Sequence, residues 1–398
     1  MADARPATCC PACGGSDATL FFRMESVPVF CNVLWPTRKA ALAAPKAQVS
    51  LAFCRACGLI FNAAFDPALT TYSSAYENSL HFSPRFNRYA DDLTRRLAQR
   101  HGLRGKNVIE IGCGQGDFLA LLTDLGACHA IGFDPSFETG RSSACAGRPI
   151  TIIPEPYSEA HACLPADFVC CRHVLEHVAD PLSFLKTVRR AVGERPGTVI
   201  FFEVPNALYT LRQLGVWDVI YEHCSYFTAE SLLRLFCRAG FEPFEVAEQY
   251  GGQFLTIEAR PQTGTRPAAP IAPAPDFPDV AGLVGEFDAA FAAKVAFWRS
   301  TLGSLRRRDV RPVVWGAGSK GVTFLNVLGL DYPQVEYVVD ISPRKTGRFV
   351  PGTAQQIVPP DFLREYRPDP IIVMNPIYQA EIGEILAGMS LDTEVLAA

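Results

Sequence analysis

The chain has 398 residues, 48% of them apolar and 20% charged, with a formal net charge of −4. That length suggests roughly two to three domains with sizeable cores and leaves no room for global disorder. The mild acidity argues against a broad nucleic-acid or anionic-membrane surface. No apolar run reaches the roughly 18 residues of a membrane helix, and "MADARPATCC" lacks the apolar stretch of a signal peptide, so a cytoplasmic protein is expected.

Fourteen cysteines in such a chain read mostly as small buried hydrophobes, not as a disulfide framework. Four stand apart. "CCPACGG" and "FCRACGLIFN" are Cys-x-x-Cys knuckles followed by glycine, so Cys10, Cys13, Cys54 and Cys57 form a candidate tetrahedral zinc site. With four thiolates it would be structural, leaving no position for water. The long gap between knuckles needs inserted strands, and "VPVFCNVLW" is expected to supply one. A polar, aromatic connector then runs into a helix near Ser83.

"KNVIEIGCGQGDFLALLTDLGA" reads as strand, glycine turn and helix. Glu110, Gly112, Gly114 and Gly116 lie in the turn, and Asp134 ends the next strand, "HAIGFDPS", where it suits ribose hydroxyls. This acid-x-Gly-x-Gly-x-Gly pattern resembles the class I methyltransferases that use S-adenosylmethionine. The resemblance implies that the turn contacts the methionine end of the cofactor and Asp134 its ribose. "DFVCCRHVLEHV" continues the pattern; His173 and His177 share a face if the segment is helical, no third ligand is evident for a metal reading, and Glu176 reads as a solvent or cap residue. After the strand "GTVIFFEVPN" comes "WDVIYEHCSYFT", Trp217 to Thr228, which sets Tyr221, Glu222 and His223 side by side. One reading is proton transfer; the other is that the stretch caps a helix, with Thr228 as N-cap. Alternating strands and helices imply a parallel sheet covered on both faces.

From Pro261 to Pro278 six prolines mark a linker. Beyond it the pattern returns with "VVWGAGSKG", where Gly316, Gly318, Gly321 and Lys320 suit a phosphate, and with Asp340 one strand later. The expected fold is α/β: a zinc-binding domain (1–75), a methyltransferase domain with its connector (76–260), a linker (261–280) and a second Rossmann-like, doubly wound domain (281–398).

This order of parts, with "CPAC", "CRACGLIFN", "EIGCGQGDFL", "YEHCSYFT", "WGAGSKGVTFLN" and "DISPRKTGRFVPGT", resembles the three-domain sugar C-methyltransferases that act at C3 of nucleotide-linked 4-keto-deoxysugars. The resemblance implies S-adenosylmethionine and zinc as cofactors, a nucleotide sugar as substrate, His223 as base with Glu222 beside it, and His177 and Tyr76 near the substrate. It departs locally: a tyrosine belongs two positions before the glutamate, where Ile220 stands. A carbon next to a ketone attacks a methyl sulfonium only after losing a proton, which a neutral imidazole can take. Tyr221, Tyr226 or His177 could then donate to the enolate oxygen. The competing expectations are O- or N-methylation of another metabolite, and a non-enzymatic scaffold.

Overall fold

The computed structural model describes residues 9–70, 75–138, 140, 144–162, 164–263, 279–332 and 334–398. The proline-rich linker expected over 261–280 falls largely on residues 264–278, which lie outside the described residues. Three sheets organise the rest. Among the described residues no helix is long and apolar enough to cross a membrane.

The first sheet begins with Ala18–Pro28 (β1), Lys46–Cys54 (β2) and Ile60–Asn62 (β3), all antiparallel. The strands between the knuckles are therefore β1 and β2. "VPVFCNVLW" does not supply one: only its first two residues close β1, and the rest runs as irregular backbone with the isolated bridges Val33 to Tyr76 and Trp35 to Phe349.

The second sheet holds Asn107–Ile111 (β4), His129–Phe133 (β5), Ile150–Ile153 (β6), Phe168–Arg172 (β7) and Val199–Pro205 (β8). Ser225–Tyr226 (β9) leaves this region and pairs with β3, closing the first sheet as its fourth strand. Phe241–Gln249 (β10) and Phe254–Pro261 (β11) return as an antiparallel hairpin. The order is β10-β11-β8-β7-β4-β5-β6, with β4 to β8 parallel. Runs such as "VIFFEVP" are buried along nearly their whole length, as a strand covered on both faces requires. Helix Pro84–His101 covers one face. Ser83 caps it through Phe86 N, Pro84 sits at its first position, and Gly102 ends it at φ 58°.

The third sheet is all parallel: Val313–Trp315 (β12), Tyr337–Val339 (β13), Gln356–Val358 (β14), Ile371–Val373 (β15) and Val395–Ala397 (β16), in the order β14-β13-β12-β15-β16. The long helix Val280–Arg307 ties it to the first sheet. Phe287 packs edge-on against Phe22, and Trp298 against Phe324, so the outer parts of the chain share one apolar core.

In both parallel sheets the strand order reverses beside a glycine turn, between β4 and β7 and between β12 and β15. Open α/β sheets bind ligands at such switch points, outside the carboxyl ends of their strands.

Candidate active site

The turn after β4 is built for close approach. Gly112, Gly114 and Gly116 all have positive φ, and a Cβ on Gly112 would lie 2.1 Å from Val174 Cγ2. Glu110 is buried beneath the turn with Oε2 unpartnered, and burial pushes its carboxyl up to about 8. Asp134 accepts from Gly114 N (2.8 Å) and from Ser136 N and Oγ. An orphaned buried acid, a cradle without side chains and an acid at the end of the neighbouring strand fit a nucleoside ligand that carries an ammonium group. They are therefore suited to hold S-adenosylmethionine.

At the end of β7 the chain turns sharply. His173 takes φ 54°, unusual for a residue with a side chain, and Leu175–His177 form a short 3-10 turn. The turn is stapled to the later segment. Cys224 N donates to Glu176 O (2.8 Å), and His177 Nδ1 donates to Glu222 O (3.0 Å). The His177 and His223 rings come to rest 4.9 Å apart between centroids.

Both imidazoles face a cavity of about 310 Å³. Tyr76, Asn32 and Ile220 line it, as do Gly316, Gly318, Lys320 and Gly321 from the second glycine turn and Ser342 and Lys345 beyond β13. The end of β7 and the second glycine turn thus open on one space. Lys320 is paired with Asp218 across the junction. Lys345 lies 3.3 Å from Asp340, whose Oδ2 accepts from Ala317 N and Oδ1 from Ser342 N. Asp340 thereby braces its own turn.

Two of the residues read from "YEH" do not reach this space. Tyr221 is fully buried, stacks near Phe65, and donates to Asp66 O while accepting from Asp66 N. Glu222 is also fully buried, and its Oε2 accepts from Cys31 N at 2.7 Å. Burial raises its carboxyl above the usual range despite His177, Cys31 N and the Tyr76 hydroxyl, which pull the other way. Tyr226, a candidate donor to an enolate, donates instead to Ile220 O and accepts from Ile220 N. Adjacent side chains leave a non-helical backbone on different sides, so of the three only His223 faces the cavity. Burial lowers its imidazole well below the usual value, reinforced by His177, His173 and Lys320, and keeps it neutral.

The reading of Glu176 as a solvent or cap residue is overturned. It is 2% exposed and lines the cavity. One of its carboxylate oxygens and one ring nitrogen each of His177 and His223 lie within 4.8 Å of one another. Behind it runs a buried chain of alternating charge. His173 lies 3.5 Å from Glu176 Oε1 and 3.0 Å from Glu203 Oε1, and Arg172 donates to Glu203 at 2.8 Å. Burial would lower His173, but Glu176 and Glu203 outweigh it and raise it to about 9. Burial would raise Glu203, but Arg172, His173 and the Tyr89 hydroxyl outweigh it and hold it at about 2. The acids and bases of this chain are far apart in sequence or look like core residues, so no spacing signals them.

At the other end of the first sheet the four knuckle thiols converge. Cys10 and Cys57 Sγ are 3.5 Å apart and Cys13 and Cys54 Sγ 3.6 Å apart. A tetrahedral ion with bonds of about 2.3 Å needs edges of about 3.8 Å, so the thiols fit zinc.

Among known families, a model described as "Methyltransferase domain" matches residues 81–246, and one described as "C-methyltransferase C-terminal domain" matches 283–392. The chain is 26% identical over 310 residues to the C-methyltransferase NovU of Streptomyces niveus, covering 71% of this chain and 70% of that protein. It is 35% identical over 117 residues to a ubiquinone biosynthesis O-methyltransferase of Vibrio vulnificus, spanning 28% of this chain and only about half (48%) of that enzyme. Among solved structures, the riboflavin-derivative dimethyltransferase RosA of Streptomyces davawensis is similar over 44% of this chain and 54% of that one, at 20% identity and a TM-score of 0.36. The magnesium protoporphyrin IX methyltransferase of Synechocystis covers 44% of this chain and 84% of that one, at 17% identity and a TM-score of 0.35.

Proposed function

We propose that this chain, which belongs to the S-adenosylmethionine-dependent C-methyltransferases, methylates a carbon next to the ketone of a nucleotide-linked 4-keto-deoxysugar, with His223 as the base. The observation that supports this reading is the neutral imidazole of His223 facing a cavity bounded by the turn after β7 and by the second glycine turn. When bound, S-adenosylmethionine supplies a methyl group on a positively charged sulfur.

The chain's own residues prepare the carbon that receives it. The C–H bond next to the ketone breaks, its proton passes to His223, and its electron pair becomes the enolate. The enolate carbon would take the methyl group that the bound sulfonium supplies, the S–C electron pair remaining on sulfur, and His223 returns its proton to water. His177, whose Nδ1 is held by Glu222 O, presents its other nitrogen as a partner for the sugar, and Tyr76 and Asn32 border the same space. The nucleotide end suits the second turn. Helix Ser319–Leu328 points its N-terminus at the cavity, with Lys320, Lys345 and Ser342 beside it, a setting for a diphosphate. Zinc on Cys10, Cys13, Cys54 and Cys57 is structural in this account, since four thiolates leave no site for chemistry.

The test uses a panel of nucleotide-linked 4-keto-deoxysugars with labelled methyl donor. The protein should transfer label to one of them and exchange that sugar's α-proton into deuterium oxide. His223→Gln should lose both while cofactor affinity by calorimetry stays within a few-fold. Label transferred to oxygen or nitrogen without α-proton exchange would reject carbon methylation.

A further inference from the structure

We propose that Glu176, and not the sequence neighbour Glu222, is the positioning carboxylate of the proton-transfer step, balancing the charge that appears on the His177–His223 pair when His223 takes the proton. The proposal rests on reading His223 as the base. Abstraction moves one proton, and with it one positive charge, onto a buried ring. In the resting protein the groups facing that ring are His177 and His173 from the turn after β7, Lys320 from the third sheet, and the Tyr226 ring 5.9 Å away on its own segment. The cationic groups among them oppose a second positive charge. Asp218 is engaged by Lys320, and Glu222 is tied to Cys31 N outside the cavity.

Three observations single out Glu176; Glu222 shares the second through its own unpartnered Oε1, but away from the cavity wall. It lies within 4.8 Å of both imidazoles, on the cavity wall. Its Oε2 is buried and has no hydrogen-bond partner, so one acceptor is left open. Its backbone is fixed against the His223 segment by Cys224 N and Cys224 Sγ, both donating to Glu176 O. An orphaned buried acceptor is costly to leave unpaired, and a turn rigid enough to keep it beside a base is pre-organised for the imidazolium. His173, anchored by Glu203, holds the other oxygen and keeps the carboxylate from turning away. The arrangement follows the logic of an acid that orients and charge-balances a catalytic imidazole.

The experiment compares Glu176→Gln, Glu176→Asp, Glu222→Gln and His223→Gln. The first readout is α-proton exchange, without cofactor, of the sugar nucleotide that the parent methylates. The proposal expects Glu176→Gln to slow exchange on the order of a hundredfold and to move the acid limb of the exchange profile to lower pH. Glu176→Asp should recover part of the rate, and Glu222→Gln should stay within tenfold of the parent. The second readout needs no substrate. NMR of 15N-histidine-labelled protein should show the His223 ring titrating at lower pH in Glu176→Gln than in the parent. Unchanged titration, or exchange within threefold of the parent in Glu176→Gln while His223→Gln is inert, overturns the proposal. Parental exchange in His223→Gln overturns the base reading instead. A metal ion present in the parent and missing from Glu176→Gln would also overturn it, assigning the same three residues to coordination.

Discussion

Replacing Glu203 by Gln removes the central anion of the buried chain while keeping its shape. Glu203 is fully buried and faces Arg172 at 2.8 Å, His173 at 3.0 Å and the Tyr89 hydroxyl. Its carboxyl sits at about 2 in the folded protein against 4.5 for the free group, a difference that corresponds to about 3 kcal/mol at neutral pH. Breaking one member of a buried ion pair costs about 3–5 kcal/mol by the same reasoning, since Arg172 stays behind uncompensated. For a unit of this size the transition that unfolds the second sheet should fall by roughly 6–12 °C. Because the folded value is depressed, the contribution is complete above pH 4.5 and fades as pH falls toward 2. His173 acts in the opposite sense: raised from 6.5 to about 9, it stabilises fully below pH 6.5 and not above 9. Urea melts of the two proteins should therefore diverge as pH falls from 9 to 6.5, run parallel to about pH 4.5, and converge below it. A variant within about 1 kcal/mol of the parent at pH 7, or a gap that widens in acid, would refute the charge-chain reading.

Three further outcomes follow from the same coordinates. Gly112→Ala places a methyl 2.1 Å from Val174 at a positive φ, and should reduce cofactor affinity by at least tenfold in calorimetry. Burial and the charges of His177, His173 and Lys320 hold the His223 imidazole below its ordinary 6.5, so the acid limb of kcat/KM should lie below pH 6.5, and Lys320→Ala should move it upward. Chelation, followed by metal analysis and circular dichroism, should remove one zinc per chain and unfold the first sheet, because the knuckles close a segment whose first-sheet strands share their core with the rest of the chain.

Much of this was legible because it depends on backbone geometry that only certain residues allow. The turns at Gly112–Gly116 and Gly316–Gly321 need glycine on steric grounds: a Cβ on Gly321 would lie 2.0 Å from Gly316 O. The thiol spacing likewise reflects the shape of a metal-binding knuckle. What could not be read is direction. Tyr221, Glu222 and His223 are consecutive, yet one reaches Asp66, one Cys31 and one the cavity. Glu176 looked like a surface acid because His223, and the Glu203 that anchors its neighbour His173, are brought to it only by the tertiary fold. Sequence proximity suggested a Glu222–His223 pair, and tertiary crossing supplies Glu176 in its place.

The crossing also explains why the tyrosine and glutamate that appear catalytic are embedded in the first sheet. β9 follows His223 directly and pairs with β3, whose neighbour β2 ends at Cys54, one of the four knuckle thiols. Glu222 grips Cys31 N in the same domain, and Tyr221 grips Asp66 just past β3. His223 therefore stands at a seam. Its own segment is fixed to the first sheet, its histidine partner comes from the end of β7 in the second, and the wall opposite belongs to the third. A base on a free loop would lose orientation before substrate arrives, and the entropy of ordering it would be charged to the reaction. Anchoring the two residues before it and the strand after it removes that cost in advance. Under the proposed base reading, the sheet that carries the four thiols serves proton transfer by fixing where one imidazole points.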